Sequence, residues 1–110
     1  MDKSSALAAL SALAQESRLD VFRLLVAAGP EGVAAGAIAA ELGVVPGTLS
    51  FHLKLLSHAG LLESRREGRS IHYIARFDTM NALVGYLTDQ CCGGNPQACM
   101  PAQSKTAGCS

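Results

Sequence analysis

The sequence of 110 residues contains no tryptophan, few aromatic residues and no net charge. Aromatic residues make up 5% of the chain and hydrophobic residues 49%, so the core has to be formed by alanine, leucine and valine on helices rather than by large rings. No apolar run reaches the length of a membrane span, and the amino terminus lacks the basic start and unbroken apolar centre of a signal peptide. We therefore expect a cytoplasmic protein of one domain, with no membrane partner and no separate catalytic domain.

Cysteine is absent from the first 90 residues. The four cysteines are Cys91, Cys92, Cys99 and Cys109, and at these positions they cannot cross-link a core formed by the preceding residues. A cytoplasmic compartment keeps such side chains as free thiols. Their placement indicates ligands or redox-active groups rather than structural disulfides.

The zero net charge argues at first against a nucleic-acid-binding protein, but the charge is unevenly distributed. Residues 51–76 carry five basic and two acidic side chains, whereas the rest of the chain carries four basic and seven acidic ones. Positive charge is therefore concentrated on one segment, as expected for a surface that faces DNA.

Residues 46–62 have the pattern of a helix with one buried and one exposed face. The apolar stripe consists of Leu49, Leu53 and Leu56. Pro46 suits the first position of a helix, and Gly60 suits its stop. Because a shorter helix closed by Gly43 precedes it, the pair predicts a helix-turn-helix whose second helix enters the major groove of DNA.

Two amphipathic helices are predicted before this unit, over residues 4–14 and 17–28, and Gly29 followed by Pro30 stops the second one. The first helix is expected to bury the stripe formed by Leu7, Leu10, Leu13 and Ala14. Small helical domains of this kind often complete their core by forming dimers.

After Gly60 the apolar period changes from 3.6 to 2, which predicts a β-hairpin with Gly68 at its turn. A last helix is expected to begin with Asp78 as its cap and to end at the pair Gly93 and Gly94. Its stripe consists of Met80, Leu83, Val84, Leu87 and Cys91. The fold class is mainly α with a small β-hairpin wing (α+β), a winged helix-turn-helix. Residues 1–92 form its DNA-binding and dimerisation domain, and residues 93–110 form a flexible cysteine-containing tail.

The strings TLSFHLKLLSHAGLL and SRREGRSIHYIA, in this helical order, resemble the ArsR/SmtB family of winged helix-turn-helix repressors over residues 5–90. The resemblance implies a homodimer joined through its first and last helices and bound to an inverted repeat in double-stranded operator DNA. It also implies release of the operator by a metal or metalloid ion.

Sensor sites differ within this family, and the residues present exclude one of them and disfavour another. The first helix of the helix-turn-helix has no thiol, which excludes a Cys-x-Cys site there, and the last helix has no histidine, which disfavours a zinc site of carboxylates and imidazoles. Cys91 and Cys92, with Cys99 seven residues beyond, resemble the arsenic-responsive branch, with one As(III) per subunit as inducer and Sb(III) as a second candidate. Trivalent arsenic favours three soft thiolate ligands, and the glycine pair after Cys92 lets Cys99 return.

Other uses of these thiols remain open. They are a disulfide-based redox switch, a zinc site, a methylated arsenical that needs two thiols, and simple exposed thiols. An enzyme, for instance a thiol reductase with Cys91 or Cys92 as nucleophile, is disfavoured because no histidine or lysine lies near these two cysteines in sequence. A DNA-binding protein that ignores every thiophilic ion is a further possibility.

Eight residues are candidates for contacting DNA. They are Thr48, Ser50, Phe51, His52, Lys54, Arg65, Arg66 and Arg69. Thr48 and Ser50 suit base edges, and Lys54 and the three arginines of the hairpin suit phosphates or the adjoining minor groove. Phe51 suits a thymine methyl group or packing against the wing. His52 lies at the edge of the apolar stripe, which is compatible with a core role or with a phosphate contact.

Overall fold

The computed structural model describes residues 1–89, which form helices and one small antiparallel sheet. The elements are α1 (Lys3–Leu13), α2 (Glu16–Ala28), a 3₁₀ turn (Gly29–Glu31), β1 (Val33–Ala34), α3 (Ala35–Leu42), α4 (Pro46–His58), β2 (Leu62–Glu67), β3 (Ser70–Ala75) and α5 (Phe77–Leu87). The predicted tail 93–110 and all four cysteines lie outside the described residues. Within residues 1–89, no helix is both long and apolar enough to span a membrane.

The helix-turn-helix is formed by α3 and α4, as the sequence predicts. Gly43 ends α3 in the left-handed conformation, with φ of 65°, and Pro46 lies in the first turn of α4, where its missing N–H leaves no helical hydrogen bond unmade. The buried face of α4 contains the predicted leucine stripe, Leu49, Leu53 and Leu56, together with His52.

The wing is a hairpin in which β2 pairs with β3, from Leu62 opposite Ala75 to Glu67 opposite Ser70. Gly68 adopts φ of 64° in the two-residue turn, which confirms its predicted role. A third strand, β1, was not predicted. It pairs with the other side of β3, so the strand order is β1-β3-β2.

The buried face of α1 differs from the prediction. Its buried residues are Ala6, Ala9 and Ala12. Leu7 and Leu10 are exposed, with 59% and 39% of their surface accessible. Small side chains allow α1 to lie close against α2 and α4, which it contacts. Leu7 and Leu10 are therefore left on the outside of the subunit, whereas Leu13 packs against the core.

Two boundaries of α5 also differ from the prediction. Asp78 does not cap the helix: Arg76 is the cap residue, and Asp78 lies in the first turn, where it accepts a hydrogen bond of 2.9 Å from the Arg76 guanidinium. That hydrogen bond holds the pKa of the Asp78 carboxyl below its usual value. The helix ends at Leu87, before the predicted glycine stop, and the Thr88 hydroxyl donates to the carbonyl of Val84 at 2.8 Å.

The core lies where α2, α3, α4 and the base of the wing meet. Its largest fully buried side chains are Val21, Leu25, Ile38, Leu49, Leu56 and Leu61. Because the base of the wing is joined to this core by the Arg76 N–H, which donates to the Leu61 carbonyl at 2.8 Å, the hairpin has a defined position beside α4.

Candidate nucleic-acid interface

The outward face of α4 carries small polar, aromatic and basic side chains. Thr48, Ser50, Phe51 and Lys54 are all exposed, and Phe51 keeps 58% of its surface accessible. Phe51 is therefore not covered by the wing. Since α4 contains no acidic residue, this face presents donors, one ring and one positive charge without a competing carboxylate.

His52 lies on the other side of the helix. Its side chain is buried, and its Nδ1 atom lies 3.4 Å from a guanidinium nitrogen of Arg18 in α2. Burial lowers the pKa of the imidazole, and the positive charge of Arg18 lowers it further, so both favour the neutral ring. Of the core role and the phosphate contact that the sequence left open for His52, this placement favours the core role, because the side chain is buried.

The three arginines of the wing have different surroundings. Arg65 donates to the carboxylate of Glu67 and, at 3.0 Å, to the backbone carbonyl of Glu31. Its guanidinium therefore joins the hairpin to the 3₁₀ turn. Arg66 and Arg69 are exposed, and among the ion pairs between described residues neither takes part. These two side chains are the ones that the wing can offer to an anionic partner.

The structure thus brings the exposed polar face of α4 and the basic wing together in one subunit, next to each other along the chain and in space. Such a surface contacts phosphates through its cations and bases through a helix placed in the major groove. Among residues 1–89, no three histidine, cysteine or carboxylate side chains are grouped so as to bind a metal ion. The fold and this surface define a winged helix-turn-helix DNA-binding protein.

Comparisons with known proteins agree with this class. A family model described as a helix-turn-helix domain matches residues 13–65. The uncharacterised HTH-type transcriptional regulator YceK of Bacillus subtilis (strain 168) is 36% identical over 77 residues, which are 69% of this chain and 76% of YceK. The chain belongs to the ArsR/SmtB family of winged helix-turn-helix transcriptional regulators. Similar proteins, YceK among them, are transcriptional regulators.

Solved structures of similar proteins support the same assignment. The homodimeric winged helix-turn-helix domain of Mb0332 from Mycobacterium bovis, a possible ArsR-family regulator, is 34% identical, with a TM-score of 0.64, and the match covers 79% of this chain and 81% of that one. An ArsR-like transcriptional regulator from Rhodococcus sp. RHA1 is 25% identical with a TM-score of 0.69, covering 97% of this chain and 96% of that one.

One functional connection was not found from the sequence. In the sequence Arg18 is a polar residue between the apolar positions of α2, yet in the structure it contacts both the end of α1 and the buried His52. Arg18 and His52 are 34 residues apart in sequence, so no periodic pattern indicates that they are in contact. The one available clue was a histidine at the edge of an otherwise apolar stripe, which requires a polar partner when it is buried.

Proposed function

We propose that this regulator binds DNA through the outward face of α4 and through the wing. Thr48 and Ser50 contact base edges, Phe51 contacts a thymine methyl group, and Lys54 contacts a phosphate. The exposure of these four side chains on one helix face is the observation that carries the proposal. Arg66 and Arg69 contact phosphates next to the groove, while Arg65 holds the wing against the 3₁₀ turn.

We further propose that the active species is a homodimer formed through α1 and α5. These two helices contact each other, and both expose large apolar side chains, among which Leu7 and Leu87 are 59% and 57% accessible. An apolar groove of about 480 Å³ borders this surface, with Met80 and Val84 of α5 in its lining. Isolated subunits rarely expose so many large apolar side chains on adjacent helices, which supports pairing with a second copy.

A dimer with two-fold symmetry presents two copies of α4 and therefore requires two half-sites. The operator in this proposal is an inverted repeat in double-stranded DNA, with half-sites about one helical turn, ~34 Å, or a multiple of it apart. A change at the dimer interface that rotates or shifts one subunit against the other alters the distance between the two α4 helices. The affinity for DNA is thereby coupled to the state of α1 and α5.

The proposed inducer is As(III), one ion per subunit, bound by the thiolates of Cys91, Cys92 and Cys99, with Sb(III) as a chemically similar alternative. The support is that these thiols follow α5 closely, since Cys91 is four residues beyond Leu87, and that soft sulfur ligands select soft ions. Binding next to a dimer helix provides a route to the spacing of the α4 helices. Coupling of about 1–3 kcal/mol would weaken DNA binding roughly 5- to 150-fold.

The test is DNA binding by the full chain and by Cys91→Ser, Cys92→Ser and Cys99→Ser, with Cys109→Ser as the matched control, at saturating arsenite in reducing buffer. We expect arsenite to weaken binding by the parent and by Cys109→Ser but not by the other three variants. If arsenite still weakens DNA binding by Cys99→Ser, the site needs only two thiols, as for a methylated arsenical. Unchanged affinity of the parent in arsenite would refute the inducer.

A redox switch is the second candidate, because adjacent thiols can also be oxidised. It predicts that an oxidant weakens DNA binding by the parent without arsenite, and that a reductant restores it. If arsenite acts in reducing buffer, where the thiols stay reduced, the ligand-binding proposal stands.

A further inference from the structure

Two hydrogen bonds from one arginine join three helices. Arg18 Nε donates to the backbone carbonyl of Ala12, near the end of α1, at 2.6 Å, and a terminal nitrogen of the same guanidinium lies 3.4 Å from His52 Nδ1 in α4. Within the part of the chain that the structure describes, no other side-chain hydrogen bond joins one helix to another.

The chemistry of the three groups fits this arrangement. The carbonyl of Ala12 is one of the last four of α1, which have no partner within the helix, and a cation near them is favoured by the helix dipole. The guanidinium has only donors, so Nδ1 of His52 must present its lone pair and the ring proton must be on Nε2. A neutral His52 is therefore a required part of the connection, in agreement with its burial.

Packing alone does not fix the arginine. A cavity of about 260 Å³ lies beside it, lined also by Ser11, Leu55 and His58, so one side of the Arg18 side chain faces open space. The start of α2 is held separately, because the Arg18 backbone N–H donates to the Gln15 side chain at 2.9 Å. Loss of the guanidinium would therefore remove the connection between helices without removing the cap of α2 or opening the core.

We propose that Arg18 is a positioning residue for DNA recognition, which fixes α4 relative to α1 by bonding to Ala12 and His52 at once. The inference rests on the proposed DNA-binding face of α4. Since α1 also belongs to the proposed dimer surface, the same connection joins α4 of each subunit to the dimer interface. It thereby helps to set the distance between the two α4 helices of the dimer.

The test compares Arg18→Met, His52→Leu and the double variant with Arg23→Met, which removes an exposed arginine from the same helix. The probe is a DNA duplex selected from a random pool by the parent protein. Each affinity is corrected for the fraction of that protein preparation that is able to bind DNA, so that misfolded protein is not counted as lost affinity. We expect Arg18→Met and His52→Leu each to weaken binding at least about 5-fold relative to Arg23→Met. The double variant should bind DNA no more weakly than the single variant with the lower affinity, because both substitutions break the same connection between α1 and α4.

Three measurements separate a positioning role of Arg18 from other roles. The slope of log affinity against log salt should be the same for Arg18→Met and Arg23→Met, whereas a lost phosphate contact would reduce it by about one. The pKa of His52, followed by NMR, should rise in Arg18→Met, because a positive neighbour is removed. Arg18→Lys keeps the charge but not the planar fork, so it should bind more weakly than the parent.

The inference is overturned if Arg18→Met binds like Arg23→Met, if the two single losses multiply in the double variant, if the salt slope falls, or if Arg18→Lys binds like the parent. These outcomes require that the parent selects a duplex. Failure of the parent to bind any duplex would instead overturn the proposed function, and this inference with it.

Discussion

At the scale of single residues, the recognition helix contains one ionisable group that the fold keeps neutral. His52 is buried among leucines and faces a permanently charged guanidinium at 3.4 Å. Both burial and Arg18 lower its pKa. Protonation of His52 therefore opposes folding, although the side chain is part of α4, the helix proposed to bind DNA.

This placement predicts a pH dependence of stability. Since the pKa of His52 is lower in the folded chain than its usual value of about 6.5, the unfolded chain binds more protons below that pH. The contribution of His52 to the free energy of unfolding is constant only well above pH 6.5 and falls as the pH drops from the usual pKa toward the lowered one, by no more than about 1.4 kcal/mol per pH unit.

Urea unfolding at pH 7.5 and pH 5.5 measures this effect. We expect His52→Asn to lose less stability between the two pH values than the parent, and the matched control His58→Asn, at an exposed position, to behave like the parent. Equal losses in all three proteins would show that His52 protonates as easily in the folded chain as in the unfolded one.

At the scale of elements, the sheet depends on a close approach between the 3₁₀ turn and β3. A Cβ atom on Gly32 would lie 2.7 Å from the Tyr73 carbonyl oxygen and 2.7 Å from Ile74. Gly29 has a similar backbone, with φ of 79° against 75°, but no atom lies within 4 Å of the corresponding point. Alanine substitutions at the two glycines therefore distinguish the cost of backbone strain, which both share, from the cost of a steric clash, which only Gly32 has.

We expect Gly29→Ala to lower the free energy of unfolding by about 1–3 kcal/mol, because alanine is strained at that backbone conformation. Gly32→Ala should lose at least about 1 kcal/mol more, because its methyl group would also have to displace β3. Urea unfolding of both variants provides the comparison. Equal losses of unfolding free energy in the two variants would mean that β3 moves away from the added methyl group at no energetic cost.

The wing gives a prediction on DNA binding. Arg66→Ala and Arg69→Ala should each weaken binding to duplex DNA and reduce the slope of log affinity against log salt by about one, because each removes a phosphate contact. Arg23→Ala, on α2, serves as the control with the same change in charge. If the salt slopes of the wing variants match that of the control, the wing does not contact phosphate.

The sequence predicted the elements that have their own periodicity or stop residues. Gly43, Pro46 and Gly68 have the predicted roles, and the leucine stripe of α4 is buried. The strand β1 was missed because two residues give no alternation. The predicted buried face of α1 was wrong at Leu7 and Leu10, because hydrophobicity alone does not distinguish a side chain that enters the core from one that lies on an exposed apolar surface.

At the scale of the whole molecule, the exposed leucines of α1 and α5 are the feature that one subunit does not explain. Leu10→Glu and Leu87→Glu should convert a dimer into monomers, since each places charge in an apolar interface. They should also weaken DNA binding by about 10²- to 10⁴-fold, because the second half-site is no longer bound within the same molecule.

Sedimentation equilibrium measures the association state. Ile71→Glu is the matched control, because Ile71 is an exposed apolar residue on the wing rather than on α1 or α5. It should leave the dimer intact. A parent that is monomeric at the concentrations needed for DNA binding, or a Leu87→Glu variant that stays dimeric, would contradict the proposed interface.

Only part of the candidate DNA-binding site could be predicted from the sequence, because only part of it depends on a local pattern. Exposure of Thr48, Ser50, Phe51 and Lys54 follows from helical periodicity, which is local. The connection of Arg65 to Glu31 and of Arg18 to His52 depends on how distant elements meet, which no local pattern encodes. The thiol site proposed for Cys91, Cys92 and Cys99 stays a prediction, because it lies outside the described residues.

Selection of duplexes from a random pool by the full chain tests most directly the central claim, that paired α4 helices read DNA. We expect enrichment of an inverted repeat with half-sites about 10–10.5 base pairs, or a multiple of this, from centre to centre. A variant with Ser50 and Phe51 changed to alanine should no longer select that sequence. Enrichment of a single unrepeated site, or of no sequence at all, would contradict the account.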